Sequence, residues 1–348
     1  MINHRKHLIL LGTSIKNALI QLDKLAEDAI LFVVDESDQL RGSLTDGDIR
    51  RGLIKGVTID KPIDLIIQVN PRYLKKKEYS IEEVIEFREK LFQIIPIVDD
   101  FNRIVNVINF RKIRSYLPID AVLMAGGRGL RLKPLTDTKP KPLLKIGQKP
   151  IIEHNLDRLT LFGIDDFWIS INYLGEQIEN YFGDGSDRDV KINYVSEDRP
   201  LGTIGSVSKI NNFQHDNILI TNSDLLTNLD YEEFFLEFIK QDADLGVVTI
   251  PYNVNIPYAI LEINLGMVMK LKEKPTYTYY ANGGIYLVKR SVLDLIPKDQ
   301  HFNATDLMEK LIENNGKVFS YPLLNYWLDI GTPEDFEKAK VDIFSIKF

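Results

Sequence analysis

Apolar positions along this chain follow two rhythms: short unbroken runs, which predict strands, and positions three or four apart, which predict the buried face of a helix. Near the N-terminus these signals repeat. Ile30-Leu31-Phe32-Val33-Val34-Asp35 can be laid over Ile94-Ile95-Pro96-Ile97-Val98-Asp99 at an offset of 64 residues. In both copies the apolar strand ends in an acidic turn. A second strand follows (Leu40 to Leu44; Ile104 to Ile108), then an amphipathic helix (Asp46 to Leu53; Phe110 to Leu117). Preceding helices are predicted from Ser14 to Glu27 and from Ser80 to Lys90, the latter with Ser80 as N-cap and Glu83 in the capping-box position. One such unit would leave an apolar sheet face in water, so the two copies are expected to pack as one α+β domain over residues 1–117.

Pro118 ends the last predicted helix of the repeat, and Ile119-Asp120-Ala121-Val122-Leu123-Met124-Ala125 reads as a fully buried strand that opens a second domain, 118–348. Strands then alternate with amphipathic helices: Phe167 to Ile171, helix Leu174 to Phe182, Lys191 to Val195, helix Thr203 to Lys209, Asn217 to Thr221. That order predicts an α/β fold with a mixed, mostly parallel sheet covered by helices on both faces. From Asp244 to Val288 strands dominate, with turns predicted at Asn264-Leu265-Gly266 and Asn282-Gly283-Gly284, so an antiparallel extension is expected. A last helix begins after Gly331-Thr332-Pro333.

Composition supports two ordinary soluble domains: 348 residues, 44% hydrophobic and 27% charged. The absence of cysteine rules out a disulfide framework, a thiolate metal site and a cysteine nucleophile. A net charge of -7 argues against a general nucleic-acid binder, which needs a basic face. No run approaches the ~18 apolar residues of a membrane span, and the opening Met1-Ile2-Asn3-His4-Arg5-Lys6-His7 lacks the apolar stretch of a signal peptide. The expectation is a cytoplasmic protein without membrane or nucleic-acid partners, in which any bound anion is held locally.

One segment can hold an anion. Ala125-Gly126-Gly127-Arg128-Gly129-Leu130-Arg131-Leu132-Lys133-Pro134-Leu135-Thr136 directly follows the first strand of the second domain. Glycines let backbone N–H groups approach a phosphate closely, and cationic side chains neutralise it. No Gly-Lys-Ser/Thr closes a P-loop, and Arg131 and Pro134 interrupt the helix a dinucleotide fingerprint would open. An ordinary glycine-rich turn competes with the phosphate reading until Lys139-Pro140-Lys141-Pro142-Leu143-Leu144 is added, where two Lys-Pro pairs place lysines on stiff extended backbone.

With Gly147-Gln148-Lys149-Pro150 following, the sequence from Ala121 to the last helix resembles the sugar-1-phosphate nucleotidyltransferases, whose signature is a Gly-rich loop with an Arg after it, then Pro-Leu-Thr and Lys-Pro-Leu. The resemblance implies a Rossmann-like GT-A type fold. It makes Gly126, Gly127, Gly129, Arg131 and Lys141 the triphosphate-handling set, and Gly202, in Leu201-Gly202-Thr203-Ile204-Gly205, the backbone that meets the base. Arg131 and Lys141, with Asp224, are the catalytic candidates. Asp224 ends an apolar strand at the carboxyl edge, where open α/β sheets bind ligands. With Asp329 of Trp327-Leu328-Asp329-Ile330-Gly331 it would hold Mg2+, whose oxygen-rich shell suits two carboxylates, phosphate and water. Glu273 and Lys274 of Glu273-Lys274-Pro275, and Asn282 and Gly283, are implied to bind the sugar and its phosphate; a solvated charged pair is the alternative for Glu273-Lys274.

The N-terminal repeat resembles a tandem CBS pair, with Thr45 and Asp48 as candidate ligands of an adenosine nucleotide and Asn109 and Lys112 in the corresponding places of the second copy. A pair that binds nothing and only dimerises is the alternative, and a homo-oligomer formed through this domain is expected. Asn172-Tyr173-Leu174 and Gly183-Asp184-Gly185-Ser186 are similar to guanylyltransferases of the mannose and heptose type, and the CBS pair ahead of a short catalytic domain is similar to a bacterial glucosamine-1-phosphate guanylyltransferase subgroup. The implied reaction joins an NTP, GTP favoured, to a sugar 1-phosphate, giving NDP-sugar and pyrophosphate for surface glycan synthesis. Thymidylyl or uridylyl transfer, and a catalytically silent nucleotide-sugar sensor, are the alternatives.

Overall fold

The computed structural model describes residues 4–76 and 78–346; Met1, Ile2 and Asn3 of the opening stretch lie outside the described residues. The chain divides into two compact units, Met1–Pro118 with Leu159–Phe167 and Phe182–Ile192, and Ile119–Arg158 with Trp168–Tyr181 and Asn193–Phe348.

In the first unit the repeat is structural. Leu8–Leu10 pairs in parallel with Ile30–Val34, which pairs antiparallel with Leu40–Thr45. Leu74–Lys75, Ile94–Val98 and Ile104–Asn109 repeat that order and those directions. The register shifts between Val33 and Val34 in one copy and between Ile97 and Val98 in the other, positions related by the same 64-residue offset. Phe32, Val34 and Leu40 share one buried cluster with Ile94, Val98, Ile104 and Val107, which covers the face each copy would otherwise expose.

The helices Ile15–Leu25 and Ile81–Glu89 start where their capping serines predict, and Ser80 and Glu83 make the reciprocal capping box. The helix expected from Phe110 to Leu117 does not form. Thr45 and Asp48 cap each other's turn at the start of Asp46–Ile54, but the equivalent of Asp48 is Lys112, which cannot accept from the N-cap backbone. The N–H groups of Arg114 and Leu117 instead donate to the carbonyls of Leu161 and Phe162, at 2.6 and 3.1 Å.

The sheet of the second unit runs in the order Lys191–Ser196, Asp166–Ile171, Ile119–Met124, Asn217–Asn222, Thr276–Lys289, Leu245–Asn255, Val318–Pro322. Asn217–Asn222 lies parallel to Ile119–Met124, and Leu245–Asn255 parallel to Val318–Pro322. Thr276–Lys289 runs antiparallel between them. The antiparallel pairing expected in this stretch is present, with Thr276–Lys289 interior to the sheet, but Asn282-Gly283-Gly284 is a bulge inside that strand, not a turn. Gly284 has a φ of 72°, and a Cβ there would stand 2.7 Å from Asn222 Nδ2. Leu265 and Gly266, both with positive φ, do make the predicted tight turn.

The helix expected at Thr203 is a short 3-10 helix, Gly205–Lys209. The final helix, Pro333–Asp342, is capped by Thr332 and Asp335 with Pro333 in its first turn. Helices Ile151–Leu161, Gly175–Phe182, Tyr231–Lys240 and Ala304–Glu313 are the other α-helices described after Pro118. Among the described residues no helix is long and apolar enough to cross a membrane.

Candidate active site

At the carboxyl end of Asn217–Asn222 the chain turns through Ser223, whose hydroxyl and N–H both donate to the carbonyl of Met124 at the end of the neighbouring parallel strand. This fixes Asp224 beside the glycine-rich loop. Leu225–Thr227 then pairs antiparallel with Trp327–Asp329, placing Leu225 opposite Asp329, and the N–H of Ile330 donates to the carbonyl of Asp224 at 3.1 Å. A two-stranded ribbon therefore joins two carboxylates separated by about a hundred residues of chain.

The cations reach them from the loop. Lys141, which sits in the 3-10 turn Lys141–Leu143 instead of on extended backbone, is buried and its ammonium bonds Asp224 Oδ2. The other oxygen, Oδ1, is buried without a hydrogen-bond partner. Arg131 lies against the backbone of Gly331: a Cβ on that glycine would stand 3.2 Å from Nη2. Burial raises the Asp329 carboxyl above its ordinary range, and the charge of Asp224 raises it further, while Lys141 and Arg131 pull it down. An orphaned carboxylate oxygen next to a second carboxylate that resists ionisation is an oxygen-rich, electron-rich donor set, and it fits a divalent cation such as Mg2+.

Gly129 has a φ of 60°, and a Cβ there would meet Lys141 Cβ and Thr136 Cγ2, both at 3.0 Å; Thr136 Oγ1 donates to its carbonyl. The loop thus hands Lys141 to Asp224 through a position that favours glycine. Gly126 faces Glu197 Oε1, 3.1 Å from where its Cβ would be, whereas a Cβ on Gly127 would meet nothing within 4 Å. Gly202, with a φ of 81°, is pressed against the carbonyl of Phe302, and Thr203 Oγ1 accepts from the N–H of Ala304 at 2.8 Å.

Asn282 and Gly283 also reach the site's margin. Asn282 Oδ1 accepts from Gly284 N and Tyr286 Oη, and the Gly283 carbonyl accepts from Trp327 Nε1. Glu273 and Lys274 are both exposed, just beyond the strand Met267–Lys272.

In the first unit, Asp48 is buried and accepts from Thr45 N, Thr45 Oγ1, Gln68 Nε2 and Arg51 Nη2. Burial alone would raise its carboxyl, but the bonds from Thr45, Gln68 and Arg51 hold it below the usual carboxylate range. Thr45 also lines a cavity of about 270 Å³ with Glu27, Asp28 and Gln93.

Sequence reasoning gave no role to Glu197. It is buried, its carboxylate accepts from Ser170 Oγ (2.7 Å) and Leu201 N (3.0 Å), and its carbonyl accepts from Asn172 Nδ2 (2.6 Å). It ties Leu201, next to Gly202, to Ser170 in the strand Asp166–Ile171, and it lies against Gly126. Removing it strands the buried N–H of Leu201, while the Ser170 hydroxyl keeps Ser206 Oγ at 2.8 Å, so Glu197→Ala is expected to cost about 1–3 kcal/mol in urea unfolding. Glu197→Gln should lose less than half of that, and an unchanged midpoint for Glu197→Ala would show that these bonds hold nothing.

Asp120 and His215 lie at the opposite, amino-terminal end of the central strands. Asp120 is buried, accepts from Gln214 N and His215 N, and stands 3.4 Å from His215 Nδ1. This pair closes the turn before Asn217–Asn222 and is remote from Asp224.

The chain is similar to several proteins of known activity. Mannose-1-phosphate guanylyltransferase of Mycobacterium tuberculosis is 31% identical over 65% of this chain, which spans 64% of that protein's length. D-glycero-alpha-D-manno-heptose 1-phosphate guanylyltransferase of Aneurinibacillus thermoaerophilus is 30% identical over 65% of the chain and 98% of its own. The crystal structure of a candidate glucose-1-phosphate thymidylyltransferase from Bacillus anthracis shares the fold, with a TM-score of 0.54, 24% identity and coverage of 66% of this chain and 97% of that one. The family model for nucleotidyl transferases matches residues 120–345, and the chain belongs to that family.

Proposed function

We propose that this protein transfers a nucleoside monophosphate from an NTP, with GTP favoured, to a sugar 1-phosphate of the hexosamine, mannose or heptose type, releasing pyrophosphate. The observation that carries this is the meeting of Asp224, Asp329, Lys141 and Arg131 at the carboxyl edge of the sheet beside a glycine-rich loop. The preference for guanine is supported by two guanylyltransferases among its relatives.

The acceptor phosphate is already an oxyanion, so no side chain has to remove a proton. One of its oxygens attacks the α-phosphorus in line, and the bond from that phosphorus to the β-phosphate's bridging oxygen breaks, its electron pair leaving with pyrophosphate. Lys141 and Arg131 place positive charge beside the carboxylates, where phosphate oxygens gain charge in the transition state. The backbone of Gly126, Gly127 and Gly129 lets the triphosphate lie close, and Gly202 offers main chain to the base. Asp224 and Asp329 would hold Mg2+, which when bound supplies an electrophilic clamp on phosphate oxygens.

In this reading residues 1–117 form a CBS-type regulatory domain and 118–348 the catalytic one, in a cytoplasmic protein. The Asp48 carboxylate is already engaged, so an adenosine nucleotide at Thr45 would have to displace Arg51 or Gln68 to reach it. Pyrophosphate release, measured with four NTPs against several sugar 1-phosphates, tests the transfer. The expected result is turnover with GTP and one acceptor; turnover with UTP or dTTP alone moves the base assignment, and silence across the panel favours a nucleotide-sugar sensor.

A further inference from the structure

The bulge in the strand Thr276–Lys289 is built around one side chain. Val247 stands opposite Tyr286 and Thr249 opposite Asn282, so Val248 alone faces Gly283, Gly284 and Ile285. A Cβ on Gly283 would lie 2.8 Å from the carbonyl of Val248. Such an insertion re-aims the side chain beside it, a common use of bulges next to active sites.

Three hydrogen bonds hold the bulge. Asn282 Oδ1 accepts from Gly284 N and from Tyr286 Oη, both at 2.9 Å. The Gly283 carbonyl accepts from Trp327 Nε1, also at 2.9 Å. Trp327 lies opposite Thr227 in the ribbon that ends at Asp329, so the bulge is fastened to the strand that carries one of the two carboxylates.

The donors decide which way the Asn282 carboxamide faces. A backbone N–H only donates, so the atom next to Gly284 N is the amide oxygen. Tyr286 is buried, and burial pushes its hydroxyl above the ordinary phenol range against the pull of Asn282, so the proton stays on Oη and is donated to the same oxygen. Both lone pairs of Oδ1 are thereby used. Asn282 is exposed, and its Nδ2 has no partner among the described residues.

We propose that Tyr286 is a positioning residue for the acceptor: with the N–H of Gly284 it holds the Asn282 carboxamide so that its two N–H donors, and not its oxygen, meet a sugar oxygen of the sugar 1-phosphate. The substrate in this assignment rests on the proposed transfer. An exposed Asn left to itself turns about its last side-chain bond and presents oxygen as readily as nitrogen. Here the two inner donors exclude that half-turn, and the Trp327 bond keeps the amide in register with Asp329, which is the kind of orientation that lowers the barrier to an in-line displacement.

Steady-state kinetics on the full chain tests this. Tyr286→Phe is expected to raise KM for the sugar 1-phosphate by about 3–10-fold, the net worth of one hydrogen bond, with KM for the NTP unchanged. Asn282→Asp keeps both inner bonds, since a carboxylate accepts from Gly284 N and Tyr286 Oη alike, but turns lone pairs and a charge outward. Its melting temperature should hold while the acceptor KM rises by about 10–100-fold. Introduced into Asn282→Ala, Tyr286→Phe should add nothing, because no carboxamide is left to orient. An equal rise in both backgrounds makes Tyr286 merely structural and overturns the proposal, as does an unchanged acceptor KM in Tyr286→Phe or in Asn282→Asp. If the wild type is silent across the NTP panel, the transfer reading fails by itself, and the same comparison is made by calorimetric titration with mannose 1-phosphate and glucosamine 1-phosphate. Weaker binding by Asn282→Asp and Tyr286→Phe then upholds the orientation; unchanged binding, or none by the wild type, overturns it.

Discussion

Asp224→Asn is expected to lower turnover by about 10³-fold, the scale of losing a main electrostatic contact to the transition state. The side chain is held by Lys141 on one oxygen and has nothing on the other, so the amide keeps the shape and loses the charge that a divalent cation needs. Lys141 then stays buried without a carboxylate; because Asp224 is partly open to solvent, with 24% of its side chain exposed, the stability loss should be only about 1–2 kcal/mol. Asp329→Asn supplies the contrast. Its carboxyl is raised by burial and by the charge of Asp224, so neutralising it relieves repulsion in the metal-free protein. Turnover should fall as steeply, yet the melting temperature without metal should hold or rise. If both variants lost stability alike, the carboxylates would be structural and not catalytic. Mn2+ binding, followed by electron paramagnetic resonance, should weaken in each.

Lys141→Ala is expected to reduce kcat by about 10²–10³-fold while leaving Mn2+ affinity undiminished or increased. The ammonium occupies one oxygen of Asp224 in the free protein, so its removal exposes both carboxylates to a divalent ion. The cost appears without metal: two neighbouring acids lose their nearest buried cation, and unfolding should become easier by about 2–3 kcal/mol, recoverable with added Mn2+. A merely structural lysine would show the stability loss without rescue and with a kcat that recovers when the ion is saturating. Arg131 is exposed against Gly331, so Arg131→Ala should change kcat with little effect on stability.

Much of the site was legible in sequence because its parts are local. Glycines, the Lys-Pro pairs and Asp224 at the end of an apolar run each carry their meaning within a few residues. Glu197 was not legible, since its value comes from Ser170 and Leu201 meeting it in a buried place. Nor was the loss of the helix at Phe110, where the backbone's partners proved to be Leu161 and Phe162. The Asn282-Gly283-Gly284 bulge reads as a turn by composition, and only the close approach of Asn222 and Val248 explains why glycines stand in mid-strand.

The amino-acid sequence by itself determined the repeat, its caps and shared core, the strand that opens the second unit, and the residue types able to handle a phosphate chain. These follow from periodicity and short-range chemistry, which act along the chain. Tertiary structure decided which of those residues meet. The ribbon Leu225–Thr227/Trp327–Asp329 joins Asp224 to Asp329, and the glycine-rich loop folds Lys141 onto the same carboxylate. Beyond Thr249 the paired strands lead to a hairpin that ends at the exposed Glu273 and Lys274. Pairing between distant strands depends on which edges and faces can be buried together, and a hydrophobic pattern states that a face needs cover without naming what covers it.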